Sequence, residues 1–198
     1  MTVEEAVLII IQAFWAMLPA YVAGPVAVLT GGGAPMDGGR NWKDGKRILG
    51  AGKTWRGLAG GTIGGIGIAG ILSVIVRGAG NDDLTAFLMP NWETNLSWIF
   101  VGFLMAFGSL FGDFVKSFFK RRSGRERGSK SPIIDMYDFI LGSWLLAALF
   151  ANPWFMETFW PEGFTFPWHM LVVLIISPLL HRSVNIIGYK MGKKDVPW

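Results

Sequence analysis

Three aspartates and seven bases crowd the stretch from Gly112 to Asp138. In Gly112-Asp113-Phe114-Val115-Lys116-Ser117-Phe118-Phe119-Lys120-Arg121-Arg122, the residues Asp113, Lys116, Ser117 and Lys120 fall at i+3 and i+4 spacing and share one face of a helix. Arg125, Glu126, Arg127, Gly128 and Lys130 follow, and Ser131-Pro132 has the form of an N-cap with proline in the first turn. Asp135 and Asp138 then point the same way at the start of the next helix. An acid in a first turn is an ordinary partner of the helix dipole. That explains Asp135 alone, but not three carboxylates beside seven bases. Carboxylates suit Mg²⁺, which takes its further oxygens from phosphate and water, and Lys and Arg suit the remaining phosphate charge. Together they indicate a Mg²⁺–nucleotide or diphosphate site, although each base taken singly is explained by solvent or by lipid head groups.

A second candidate is Gly52-Lys53-Thr54. It matches the end of a phosphate-binding P-loop, but the first glycine of that motif would fall on Arg47, and no strand precedes it. A P-loop fold is therefore excluded. Phosphate contact through Lys53, Arg56 and exposed amides of the 50–56 segment remains open, with a positive anchor at the membrane boundary as the equal alternative.

These residues need elements to position them, and the composition says which. Of 198 residues 52% are apolar and only 16% charged, against about 25% charged in a soluble domain. There is no cysteine, which excludes disulfides, zinc–thiolate sites and a thiol nucleophile. Residues 6–36, 57–76, 94–112, 139–156 and 163–180 contain no Asp, Glu, Lys or Arg. A span takes about 17–25 residues; four of the runs have that length, and the first is long enough for a span and a loop. The expected fold is an all-α integral membrane protein of five transmembrane helices in one membrane-embedded domain, 1–198. Pro19 or Pro25 is expected to kink or break the first run, and the last two runs hold Pro153, Pro167 and Pro178. Glu4 and Glu5 stand where a signal peptide would be positive, so none is expected.

All but Arg77 of the 18 Lys and Arg fall in 37–56, 113–135 and the tail from 181, which five spans place on one side. The excess of positive charge puts that side in the cytoplasm, the N-terminus outside and the C-terminus inside. Trp92, Trp154, Trp160 and Trp168 then belong at the outer interface, and Trp42, Trp55 and Trp198 at the inner one. Gly57, Gly61 and Gly65 recur every four residues, as do Gly60 and Gly64. That spacing predicts close helix packing within the chain, with a dimer interface or lipid-facing groove as the alternative. His169 is expected to be structural on the outer side, and His181 to lie near the site.

The combination Gly112-Asp113, Ser117, Lys120-Arg121, Pro132 and Asp135-x-x-Asp138 resembles the signature region of the membrane CTP:phosphatidate cytidylyltransferases. It is more similar to their archaeal relatives, the CDP-archaeol synthases. Gly52-Lys53-Thr54-Trp55-Arg56-Gly57 fits that branch, as do Arg127-Gly128 and the tail His181…Asn185…Tyr189-Lys190…Gly192-Lys193-Lys194…Pro197-Trp198. Against the bacterial enzymes, Ser131-Pro132-Ile133-Ile134 replaces a His-Gly-Gly, and Asp135-Met136-Tyr137-Asp138 replaces Asp-Arg-x-Asp.

The resemblance implies a Mg²⁺-dependent enzyme that transfers CMP from CTP to an unsaturated archaeal ether-lipid phosphate. The products would be a CDP-activated lipid and pyrophosphate. It implies Asp113, Lys120, Arg121, Asp135 and Asp138 as catalytic residues, the three aspartates as metal ligands, and Gly52, Lys53, Thr54, Arg56, Lys116, Ser117, Arg122 and Arg127 as nucleotide- or phosphate-binding. The partners implied are CTP, an isoprenoid ether-lipid phosphate and the bilayer, with the active site on the cytoplasmic face of a multi-pass protein of the cell membrane. Other readings are a phosphatidate cytidylyltransferase, a polyprenol kinase, and a non-enzymatic transporter or lipid-binding scaffold. Span interiors without charge disfavour a transporter. Nucleic-acid binding lacks any motif beyond charge.

Overall fold

The computed structural model describes residues 2–78, 97–124 and 132–193. Their helices are α1 (Val3–Thr30), α2 (Trp55–Gly78), α3 (Ser97–Arg122), α4 (Pro132–Phe150), α5 (Asn152–Phe159) and α6 (Trp168–Lys190). Pairing beyond the helices is confined, among the described residues, to two isolated bridges, Pro35 with Thr54 and Asn41 with Arg47. Among the described residues four helices, α1, α2, α3 and α6, are long and apolar enough to cross a membrane, against the five expected.

Several boundaries differ from the uncharged runs. Glu5 closes a capping box with Thr2, so α1 begins at Val3 and continues through both Pro19 and Pro25 without ending at either. The fourth run was expected over 139–156. The helix instead covers 132–150, and Pro153 opens the separate short α5, since proline cannot extend a helix but fits its first turn. α6 starts at Trp168, after Pro167, and carries Pro178 to reach Lys190. Trp154 was placed at an interface but is buried with its ring against Phe159, and Phe159 packs in turn on Trp144. Trp160 is exposed, and so are Trp42 and Trp55. Trp92 and Trp198 lie outside the described residues.

Glycine sets the helix spacing in two places. On α2, a Cβ at Gly61 would lie 2.5 Å from the Ala23 carbonyl oxygen, and one at Gly65 would meet Ala106 of α3 and the Pro19 carbonyl. The glycine row is therefore a seam within the chain, where missing side chains let α1, α2 and α3 approach. The second place is the α3–α4 crossing. A Cβ at Gly108 would lie 2.6 Å from the Gly142 carbonyl oxygen, and one at Gly112 would collide with the Asp138 carbonyl. This near-contact of backbones puts the Asp113 face of α3 beside the first turns of α4.

Hydroxyls join the helices across the apolar interior. Ser109 donates to the Ala20 carbonyl (3.0 Å), Ser143 to the Met105 carbonyl (2.9 Å) and Tyr137 to the Leu174 carbonyl (3.2 Å). Tyr21 Oη and Ser177 Oγ are 2.8 Å apart. Ala13, Met17, Met105, Ile140 and Val173 fill the space between them. His169 donates from Nε2 to Gln12 Oε1 (2.9 Å) and is buried.

Candidate active site

The charged ends of α3 and α4 meet where the α3–α4 crossing brings them together. Lys116 Nζ lies 3.0 Å from Asp113 Oδ1, 3.4 Å from Asp135 Oδ1 and 2.7 Å from Asp138 Oδ2. Lys120 Nζ lies 2.7 Å from Asp135 Oδ1. Lys53, from the segment before α2, is ion-paired with Asp113, and its ammonium stands 5.7 Å from the centre of the Phe114 ring. Three carboxylates and three ammonium groups thus form one connected network. The carboxylate oxygens are the donor type that Mg²⁺ takes. Among the described residues no group of three or more His, Cys, Asp or Glu is placed to hold a metal ion; the Lys116 ammonium lies within 3.4 Å of an oxygen of each of the three carboxylates.

The network lines a cavity of about 690 Å³ between α1, α3, α4, α6 and the 47–53 segment. Its lining includes Gly52, Lys53, Asp113, Lys116, Ser117, Lys120, Arg121, Asp135 and Asp138, so nine of the residues expected from sequence are brought together. Val28 and Leu29 of α1 and Leu180, Val184 and Ile187 of α6 make the apolar part of the wall. His181, stacked on Phe139 at 6.0 Å, also faces the cavity.

Three expected residues sit elsewhere. The Thr54 hydroxyl accepts the Gly57 amide (3.1 Å), capping α2 from a buried position. Arg56 is exposed and outside the lining. Arg122 donates to the carbonyls of Lys46 (3.0 Å) and Arg47, pairs with Asp44 (3.1 Å) and lies over the Phe118 ring (4.8 Å). It fastens the 44–47 segment to the end of α3. Arg127 falls outside the described residues. Arg121, though in the lining, also donates from Nε to the Leu49 carbonyl (3.2 Å), so it supports the same segment. Lys46 is not simply solvated, because its ammonium donates to the Arg122 carbonyl (2.8 Å).

Sequence reasoning missed Asp37 and its partner Arg47. The Asp37 side chain is 0% exposed. Oδ2 accepts Arg47 Nε (3.0 Å) and the amides of Leu49 (3.1 Å) and Gly50 (2.9 Å), while Oδ1 accepts Arg47 Nη2 (3.1 Å) and the Gly39 amide (3.0 Å). Burial alone would raise this carboxyl; the guanidinium and three amides outweigh it and hold it well below the usual carboxylate range. Gly50, with φ of +127°, allows the turn that presents Ala51, Gly52 and Lys53 to the cavity. The only sequence signal was Asp37-Gly38-Gly39, an ordinary turn. Asn185, buried and facing the cavity one turn beyond His181, was noticed only through the tail motif.

This arrangement belongs to a known group of proteins. Residues 6–198 match the family described as CarS-like, CDP-archaeol synthase. The CDP-archaeol synthase of Methanospirillum hungatei is 47% identical over 92% of this chain and 100% of its own length. That of Methanosarcina barkeri is 46% identical over the same shares, and that of Halorubrum lacusprofundi 44% identical over 96% and 98%. A solved structure of an intramembrane enzyme for archaeal membrane lipid biosynthesis superimposes with a TM-score of 0.65 at 31% identity, covering 88% of this chain and 92% of the other. With the whole cavity inside the matched region, the chain belongs to the CDP-archaeol synthase family.

Proposed function

We propose that the chain is a membrane-embedded cytidylyltransferase that joins CMP from CTP to an archaeal ether-lipid phosphate. The observation that carries this reading is the network of three aspartates and three lysines lining a cavity whose wall is otherwise partly apolar. A lipid phosphate offers this cavity an anionic head and apolar chains, and CTP offers it a triphosphate. The volume is in the usual range for small-molecule sites, about 300–1,000 Å³. The head and the triphosphate belong at Lys53, Lys116, Lys120 and Arg121, and the isoprenoid chains along Val28, Leu29, Leu180, Val184 and Ile187. The unsaturated, geranylgeranyl form is the proposed substrate.

An oxygen of the lipid phosphate attacks the α-phosphorus of CTP; that P–O bond forms as the bond to the β-phosphate breaks, and pyrophosphate leaves. The lipid phosphate is already an anion at neutral pH, so no protein nucleophile or base is required. Lys53, Lys116 and Lys120 offset the charge that repels the two substrates and that builds on the leaving group. Arg121 and the Asp37–Arg47 pair hold the segment that carries Lys53. Asp113, Asp135 and Asp138 are the residues that would hold Mg²⁺, which, when bound, neutralises phosphate charge and polarises the phosphorus.

The proposed topology is five spans, with α4 as the fourth, in the cell membrane. The N-terminus is outside and the cavity end that holds the lysines faces the cytoplasm, where CTP is found. The test is purified protein given CTP labelled at the α-phosphate with Mg²⁺ and either geranylgeranyl ether-lipid phosphate or phosphatidate. Label is expected in the ether lipid with release of pyrophosphate. Transfer to phosphatidate at an equal rate would reject the lipid assignment, and no transfer to either would reject the enzyme.

A further inference from the structure

We propose that a groove on the lipid-facing side of the α3–α4 pair is a second lipid site. It holds one anionic phospholipid of the bilayer, which does not react, with its phosphate at Lys120 and Ser123. This lipid weakens CTP binding by drawing on Lys120. The lipid site stands apart from the function proposed above; only its effect on CTP rests on that reading.

The groove has a volume of about 460 Å³. Phe111, Val115 and Phe119 of α3 form one wall and Leu141 and Leu145 of α4 the other, over a floor of Gly112 and Gly142. The glycines that bring the two backbones together thus also leave a furrow between the side-chain rows. Phe119, Leu141 and Leu145 are 63, 61 and 51% exposed, so the furrow opens away from the protein. From Phe111 to Lys120 it runs about 13 Å along α3. Beyond Phe111 the stacked rings of Phe107 and Phe103 (6.4 and 5.3 Å) continue an apolar track suited to a hydrocarbon chain.

Only the other end is charged. Lys116 and Asp138 pair there at 2.7 Å, and the carboxylate that Lys120 pairs with, Asp135, lies outside the groove's lining. Two lysines against one aspartate leave the lining net positive, at the basic last turn of α3. A lipid with an apolar chain and an anionic phosphate matches both ends, and basic pockets between helices at a membrane boundary are where anionic head groups bind. This lipid is not the one that reacts. A Cβ at Gly108 would lie 2.6 Å from the Gly142 carbonyl oxygen, so the helices are too close for a chain in the groove to pass between them into the main cavity. Groove and cavity share only Lys116, Lys120 and Asp138. Phosphate in the groove acts across that shared wall: it adds negative charge beside Lys120 and lessens the attraction for CTP.

The probe is phosphatidylglycerol with a photoreactive diazirine in one chain; its phosphate is a diester, so it is not a substrate. It is added to the full chain in phosphatidylcholine nanodiscs, irradiated, and the adducts are mapped by mass spectrometry. Adducts are expected on the peptides that hold Val115 and Leu141, and unlabelled phosphatidylglycerol should suppress them several-fold more than unlabelled phosphatidylcholine. Equal suppression by both lipids, or adducts spread evenly over the lipid-facing helices, would overturn the site. This arm needs no variant. For the effect on CTP, Val115→Trp fills the groove without touching the cavity lining, and Leu145→Trp is a second plug should the first fail to fold. Phosphatidylglycerol raises the apparent Kd for CTP in any nanodisc through surface charge. In the wild type that rise is expected to exceed the rise in the plugged variant by about threefold, the size of a partly screened charge pair. An equal rise in both would overturn the effect on CTP. A wild type that binds no CTP would overturn that effect and the function proposed above together, while the adducts decide the lipid site on their own.

Discussion

Asp37 makes no direct demand on the substrate, yet five hydrogen bonds converge on it. In Asp37→Asn one acceptor becomes an NH₂ that faces other donors. We expect the variant to lose thermal stability at neutral pH and to show an apparent KM for CTP raised about tenfold or more, as expected when a charge-assisted hydrogen bond is lost. Because the native carboxyl is held below the ordinary range, its stabilisation is fully present above the unfolded pKa, about 3.9, and is lost as pH falls toward the folded value. The Tm gap between wild type and Asp37→Asn should therefore be constant from pH 6 to 8 and shrink below about pH 4; a gap that does not change in acid would contradict the assigned role. Among the lysines, Lys120→Ala should lower turnover about tenfold or more, whereas Lys43→Ala should change it less than about threefold, as for a solvated charge. Initial rates against CTP concentration separate the two, and equal mild effects would mean that Lys120 only anchors the chain. The catalytic-face residues were legible because Asp113, Lys116 and Lys120 follow helical spacing within one segment. The part that Arg121 and Arg122 play in holding the 44–49 segment was not, because it depends on a loop docking on α3 from more than 70 residues away in sequence; Asp37 was not, because Arg47 and the amides of Gly39, Leu49 and Gly50 reach it only when the loop folds on itself.

The α3–α4 crossing is the element on which the site depends. Gly108 and Gly142 press backbone on backbone, and Gly112 sits against the Asp138 carbonyl. Gly142→Ala should push the helices apart, costing about 1–3 kcal/mol in stability and separating Asp113 from Asp138. Gly67→Ala on α2 meets nothing within 4 Å and should be harmless. Tm and label transfer measured on both variants check this; a fully active Gly142→Ala would show that the crossing has slack. The sequence pattern pointed to the glycine row of α2, with its regular spacing of four, and the structure places that row in a seam within the chain. On α3, Gly108 and Gly112 carry the same spacing of four, whereas Gly142 stands alone in α4 with no periodicity to mark it. The short α5 was hidden for another reason: its apolar residues continue those of α4, and only Pro153 marks the break.

At the scale of the molecule, α1, α3, α4, α6 and the 47–53 segment line one cavity. The proposed orientation has a direct check in a chain without native cysteine. A membrane-impermeant maleimide should label Glu162→Cys, between α5 and α6, on intact cells, and Lys43→Cys only after permeabilisation. The reverse pattern would contradict the topology. The all-helical, membrane-spanning character and the crowded charged end were legible from uncharged runs and clustered bases, which are sums over many residues; five spans were expected, and among the described residues four helices are long and apolar enough to cross. The cavity was not, since it arises from five segments whose relative placement no single run specifies. The most direct test of the whole reading is transfer of α-phosphate label from CTP to geranylgeranyl ether-lipid phosphate by Asp138→Asn, whose wild-type carboxylate lies against Lys116 at the α3–α4 crossing. The variant should fold with a near-normal Tm and transfer label slower by about two orders of magnitude or more; a folded Asp138→Asn with near-wild-type transfer would show that the chemistry takes place elsewhere.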